Sequence, residues 1–265
     1  MKFSGLILSL LVTANIFAAS VNEAATLYTN RVLDVNNSLK SADMYGELAA
    51  AETDSLKKVQ LLNKQSEAIY FYGQNASIDN DLKISMHDKG AAVAQGGIDL
   101  LAAGPGVSKN PAFDEALAES YYFWGANKGK WAEARGIASS LSQWPNLKEA
   151  MENIIKLKKV QVQDFGAFRI LGRAYYKLPW PLGDKELSLK YLKTANTKTA
   201  VAEGDISINS TNVVYYADIL IAKGLIAEAK QVLSGLIAKN DNYNPRRVPE
   251  TIKDKKEAQN ILSKL

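Results

Sequence analysis

The chain has 265 residues with no cysteine and a single histidine, His87. Without thiols there can be no disulfide staple, no thiolate metal site and no cysteine nucleophile. One imidazole cannot build a histidine-based metal site. As a general base it would need an orienting partner, and the adjacent Asp88 points elsewhere on a helix. His87 is therefore read as a structural side chain. Proline is scarce, at seven residues, and together with glycine it punctuates the chain at Gly104-Pro105-Gly106, Pro145, Pro179 to Gly183 and Asn244-Pro245. Gly96-Gly97 and Gly104 to Gly106 lack the Lys-Ser/Thr pair that completes a phosphate-binding loop. No apolar run after Phe17 is long enough to span a bilayer. With no catalytic constellation, metal set or cofactor motif in view, the expectation is a protein that is not an enzyme.

The N-terminus has the form of an export signal over residues 1–20. Lys2 supplies a positive start, Leu6 to Phe17 an apolar stretch, and Ala18, Ala19 and Ser20 the small residues of a cleavage site, after Ala18 or after Ser20. No cysteine follows that would carry a lipid anchor. The expected product is a periplasmic chain without lipid attachment. The formal charge of +4 is spread out except near the C-terminus, at Arg246, Arg247, Lys253, Lys255 and Lys256. Glu250, Asp254 and Glu257 interrupt that run, so it reads as a solvated helix face and not as a nucleic-acid site.

Residues 21–265 carry helical periodicity almost throughout, with no sustained alternation of the kind a strand would show. The pattern predicts a single all-α domain of about 11 or 12 helices. They fall over 21–38, 41–51, 54–74, 79–102, 112–128, 131–142, 146–158, 164–178, 184–195, 211–223, 226–239 and 250–264. Phe165 to Ala195 is the most telling stretch: two amphipathic helices joined by Pro-Trp-Pro-Leu-Gly, with Asp184 as N-cap of the second. The same logic returns over Thr211 to Ile237. GLIAEA (Gly224 to Ala229) and GKWAEA (Gly129 to Ala134) share a spacing, and each reads as a helix-to-helix junction. Gly172, Ala217, Ala134, Ser188 and Ala229 fall where two helices would touch. In this the chain resembles the tetratricopeptide repeat (TPR), a solenoid of stacked helix pairs, with about four extra residues in the central interhelix turn.

A narrower resemblance comes from the pieces taken together. SYYFWGANKGKWAEARG (Ser120 to Gly136), FRILGRAYYKLPWPLGDKELSLKYLKTA, PETIKDKKEAQNILSKL and NDLKISMHDKGAAVAQGGIDL (Asn80 to Leu100) resemble the T component of TPR-associated TRAP transporters. The absent lipidation cysteine departs from the anchored members of that family. The resemblance implies a periplasmic helical protein whose partner is the transporter's solute-binding protein. It also implies a homo-oligomer, with a trimer favoured, and a link to organic-acid or hydrophobic ligands.

Six side chains are candidates for partner or ligand contact. Arg169 and Arg173 lie four apart, so their guanidinium groups reach one side of a helix, and Tyr176 joins them. Two forks side by side suit a carboxylate; the alternative is internal pairing with Glu119, Asp164 or Asp218. Trp180, set between two prolines, is either a lid over the helix pair or an exposed anchor. Phe123 and Trp124 belong to a run, Tyr121 to Trp124, that must point in several directions at once. The expected function is docking of the solute-binding protein, with its ligand presented or held. A free-standing periplasmic small-molecule binder and an envelope-assembly scaffold are the alternatives.

Overall fold

The computed structural model describes residues 20–102 and 110–265. Residues 1–19 of the expected signal segment and the glycines of 104–106 lie outside them. Among the described residues the chain is all-α, with no strand beyond one isolated bridge between Ala200 and Ser207. The helices are α1 (20–29), α2 (Asn36–Ala51), α3 (Ser55–Asn75), α4 (Asn80–Ala102), α5 (Pro111–Arg135), α6 (Ile137–Lys156), α7 (Val162–Lys177), α8 (Lys185–Lys198), α9 (Ser210–Ala222), α10 (Ile226–Ala238) and α11 (Val248–Leu262). They fall into two compact units, Met1–Ala134 and Arg135–Leu265.

Local signals explain most helix ends. Asp184 accepts from the backbone N–H groups of Glu186 (2.8 Å) and Leu187 (2.9 Å), as its N-cap position predicts. Asn209 caps α9 in the same way through Thr211. Gly224, at φ 75°, ends α9: its N–H bonds the Ile221 carbonyl and Leu225 N–H the Leu220 carbonyl, the paired closure of a Schellman motif.

Two expected junctions are corrected. GKWAEA does not match GLIAEA, because Gly129 sits inside α5, which runs on to Arg135. The turn falls at Gly136, with φ 98°, a left-handed value that glycine adopts freely. A helical glycine costs only about 1 kcal/mol relative to alanine, so Gly129 alone does not stop the helix. Pro145 likewise lies within α6 instead of ending a helix. At the start, the expected helix 21–38 is broken by a 3-10 turn at Asn30–Val32.

In the first unit α2 packs on α3 and α3 on α4, around Tyr45, Leu48 and Leu61 on one side and Ala42, Ala68 and Ile69 on the other. α5 is tied to α3 by buried polar groups. Asn63 Nδ2 donates to the Ala116 carbonyl (2.8 Å), and Ser120 Oγ to Asn63 Oδ1 (2.7 Å). Asn127 Nδ2 donates to Ser66 Oγ (3.1 Å), and Ser66 Oγ to the Gly90 carbonyl (2.8 Å). His87 is fully buried in this network. Its Nε2 lies 2.8 Å from Gln74 Nε2 and its Nδ1 3.1 Å from Asn127 Oδ1. An amide N–H can only donate and an amide oxygen only accept, so the ring is neutral with its proton on Nδ1. Glycines make room: a Cβ on Gly90 would meet Asn127 Oδ1 at 2.5 Å, and one on Gly73 would meet His87 Cε1 at 2.9 Å.

Burial holds the His87 pKa below its usual 6.5. Below pH 6.5 the unfolded chain therefore takes up a proton that the folded chain refuses, and stability falls as the pH drops through that window. The expected loss is at most about 1.4 kcal/mol per pH unit. It is read from urea midpoints between pH 7.5 and 5.5 for wild type and His87→Gln. If the two lines run parallel, His87 does not titrate in this way.

In the second unit α7 packs on α8, α8 on α9, and α9 on α10 and α11, with α9 also touching α7. That central place explains why Val213, Val214, Tyr216, Ala217, Ile219 and Leu220 of α9 are all buried: a helix wrapped on several sides is apolar on several sides. The α7–α8 crossing is close. A Cβ on Gly172 would meet Leu192 Cγ at 2.6 Å, and Ser188 Oγ donates to the Gly172 carbonyl at 2.8 Å. Of the other small residues expected at crossings, Ala217 and Ala229 are fully buried, whereas Ala134 is half-buried near the end of α5. Of the basic C-terminal residues, Lys253 and Lys256 lie exposed as expected of a solvated face, whereas Lys255 is half-buried and bonds Asp241 (2.6 Å) and the Lys239 carbonyl (2.8 Å).

Candidate functional site

The entry to α7 departs most from ordinary backbone. Gln163, Asp164 and Phe165 have φ of 51°, 56° and 59°, so the right-handed helix follows a left-handed turn of three non-glycine residues. Each such residue costs about 1–2 kcal/mol, and the turn persists because side chains from two directions hold it. Arg169, 4% exposed, donates through Nη2 to the Gln163 carbonyl (3.1 Å) and through Nη1 to the Asp164 carbonyl (3.3 Å) and Asn212 Oδ1 (2.9 Å). Asn212 Nδ2 donates to the same Asp164 carbonyl at 3.1 Å. The Asp164 carboxylate takes a hydrogen bond from Asn209 Nδ2 (3.0 Å) and lies 3.7 Å from Arg246 Nη2.

Arg169 and Arg173 do share one side of α7, but that side faces α9. Arg173 pairs with Asp218 at 2.5 Å, and its guanidinium carbon lies 4.3 Å from the centre of the Tyr215 ring and 5.3 Å from that of Tyr176. One of the internal partners anticipated for the pair, Asp218, is thus engaged, and Arg169 finds backbone oxygens where a carboxylate was expected. Arg169 has no exposed fork to offer a partner. Arg173 keeps part of its surface, as does Tyr176. In the first unit Phe123 is buried at 3% exposure beside Tyr122, and Trp124 is half-buried.

Trp180 is different. It is 89% exposed, the most open large apolar side chain among the described residues, with Leu182 beside it at 42%. The turn beneath it is closed by backbone bonds: Leu182 and Gly183 N–H to the Pro179 carbonyl (3.0 and 2.9 Å) and Asp184 N–H to the Tyr175 carbonyl (3.0 Å). Gly183 is required here, since a Cβ would lie 2.1 Å from the Leu178 carbonyl oxygen. Trp180 is therefore not a lid over its own helix pair; it projects from a fixed base.

A row of aromatics that sequence reasoning had not singled out reaches Tyr175, the residue whose carbonyl holds this turn. Trp144 of α6 meets Tyr175 edge-on (5.0 Å between centroids), Tyr175 stacks with Tyr191 of α8 (6.0 Å), Tyr191 meets Phe168 (5.6 Å), and Phe168 meets Phe165 (5.9 Å). Trp144 is buried and the other four are half-buried. Burial pushes the Tyr175 and Tyr191 hydroxyls above their usual titration range, so they stay neutral donors. The available signal was the seven-residue step from Phe168 to Tyr175, two turns along one helix face. Such a surface offers apolar contact with a few hydroxyls and no nucleophile. Among the described residues no three His, Asp or Glu side chains gather as a metal site. Compared with known proteins, the chain matches no family model and no curated protein.

Proposed function

We propose that the chain is an exported helical adaptor that docks a periplasmic solute-binding protein, as the T component of a TPR-associated TRAP transporter would. In this reading α7–α8 and α9–α10 are successive TPR-like helix pairs, α11 caps them, and the contact is made by the Pro179–Leu182 turn with the neighbouring aromatic surface. The observation that carries the proposal is Trp180: a tryptophan almost wholly in water, on a turn that cannot fold back over it. Large exposed aromatics on rigid backbone are the residues that anchor interfaces. Trimer formation and a role in presenting an organic-acid or hydrophobic ligand belong to the same proposal and rest on the sequence resemblance.

The test is crosslinking of the tagged, exported chain in its native periplasm, followed by mass spectrometry. The exposed Lys177 and Lys185 flank the Trp180 turn and are suitable crosslinking handles. Recovery of an extracytoplasmic solute-binding protein joined through either lysine is the expected result. Recovery of envelope-assembly proteins, or crosslinks that avoid this turn, overturns the reading.

A further inference from the structure

The first unit holds a pocket of about 490 Å³ that the docking proposal does not use. Its apolar wall is Val21 of α1, Leu61 of α3 and the ring of Tyr45 of α2, which pack in one cluster with Leu48 and Ala24. Its volume lies in the range of small-molecule sites, about 300–1,000 Å³. α3 presents Lys57, Gln60, Leu61 and Lys64 to it; the spacing i, i+3, i+4, i+7 puts all of them on one helix face. Opposite them α5 contributes Glu119.

The charges in this pocket are not all neutralised within it. Glu52, at the rim, spends Oε1 on the backbone N–H groups of Thr53 (2.8 Å) and Asp54 (2.9 Å). Lys64 has Glu67 at 3.0 Å. Lys57 makes no ion pair among the described residues; Glu119 has none within ion-pair distance either, but Asn63 donates a hydrogen bond to it and the Lys64 ammonium attracts it. Glu119 is half-buried, and burial pushes its carboxyl above the usual range, as it does the Tyr45 hydroxyl. Burial outweighs what Lys64 and Asn63 give this carboxylate, and a ligand's cation could recover that free energy.

Each simple ligand class leaves something unmet. A fatty acid would bring a second carboxylate against Glu119. An alkylamine would face Lys57 and Lys64 with like charge. A neutral hydrophobe would desolvate Glu119 further and give nothing back. We propose that this pocket binds a small zwitterion with an apolar side chain, of the free amino acid or dipeptide class. The ammonium sits on Glu119, the carboxylate lies between Lys57 and Lys64, and the side chain rests against Val21, Leu61 and Tyr45. The pocket lies wholly within the first unit, so the inference stands or falls apart from docking at Trp180.

The test is isothermal titration of the full exported chain with L-leucine and L-leucyl-L-leucine, against N-acetyl-leucine, leucinamide and decanoate. At least one zwitterion binds saturably. Blocking either terminus weakens it by about 10- to 100-fold, the worth of one charge-assisted contact. Glu119→Gln, which keeps the side-chain shape, removes a similar factor from the free-amine probes and leaves N-acetyl-leucine unchanged. Lys57→Ala, an exposed position that folding tolerates, weakens the free-carboxylate probes and spares leucinamide. Decanoate binding more tightly than either zwitterion overturns the proposal. So does the absence of heat from both zwitterions, or an affinity indifferent to both substitutions in chains with native circular dichroism.

Discussion

Arg169→Met lowers the stability of the chain by about 3–5 kcal/mol, the range for removing one partner from a buried, hydrogen-bonded charged group. The reasoning starts from the backbone. Three consecutive left-handed residues, Gln163 to Phe165, carry about 3–6 kcal/mol of conformational cost, and Arg169 bonds two of their carbonyls directly. Methionine fills much of the same volume but offers no donor. It leaves the Gln163 carbonyl and Asn212 Oδ1 without the Arg169 bonds, in a place where water cannot replace them freely. Arg169→Lys should recover little, since one ammonium on a flexible stem cannot reproduce a planar fork over three acceptors. Arg173→Met is the control: its guanidinium is part-exposed and paired with one carboxylate, so the loss should be about 1 kcal/mol. Urea unfolding followed by circular dichroism reads all three. A loss at Arg169 no larger than at Arg173 would mean that the left-handed turn is held by something other than this guanidinium.

That contrast also shows which parts of the molecule a sequence can reveal. Asp184 and Asn209 are legible as caps because the chemistry of a cap is local: a short oxygen-bearing side chain two or three residues before free amides. Gly172 and Ser188 are legible at a helix crossing because close packing needs small residues whatever the partner. The all-α class follows from period alone. The left-handed turn is not legible. Asp164 tolerates that conformation, but nothing in Gln163 or Phe165 favours it, and one of the two side chains that hold it, Asn212, is far away in sequence. The same distance hides the orientation of the arginine pair. Spacing places Arg169 and Arg173 on one side, but only the position of α9 decides that this side is interior. Gly129 against Gly136 is a third case: both follow good helix formers, and only the realised φ separates a passenger glycine from a terminator. The candidate surface was half legible for a related reason. Trp180 stands out by its flanking prolines, while the row from Trp144 to Phe165 is assembled from three helices.

Trp180→Ala should weaken docking of the solute-binding protein by about 2–4 kcal/mol, roughly 30- to 1,000-fold in Kd, without changing the stability of the chain. The second half of that statement carries the argument. At 89% exposure the indole buries almost nothing in the free protein, so its removal forfeits almost no packing. What is forfeited is the apolar area a partner would cover, the larger because the turn does not have to be ordered on binding: the Pro179 and Tyr175 carbonyls already hold it. Leu182→Ala should act in the same direction with a smaller effect, since its side chain is smaller and more than half covered already. The measurement is titration of the solute-binding protein identified by crosslinking against wild type and each variant, with urea midpoints alongside. Weakened binding at an unchanged midpoint places the anchor at Trp180. An unchanged Kd moves the contact off this turn and removes the observation on which the docking proposal rests.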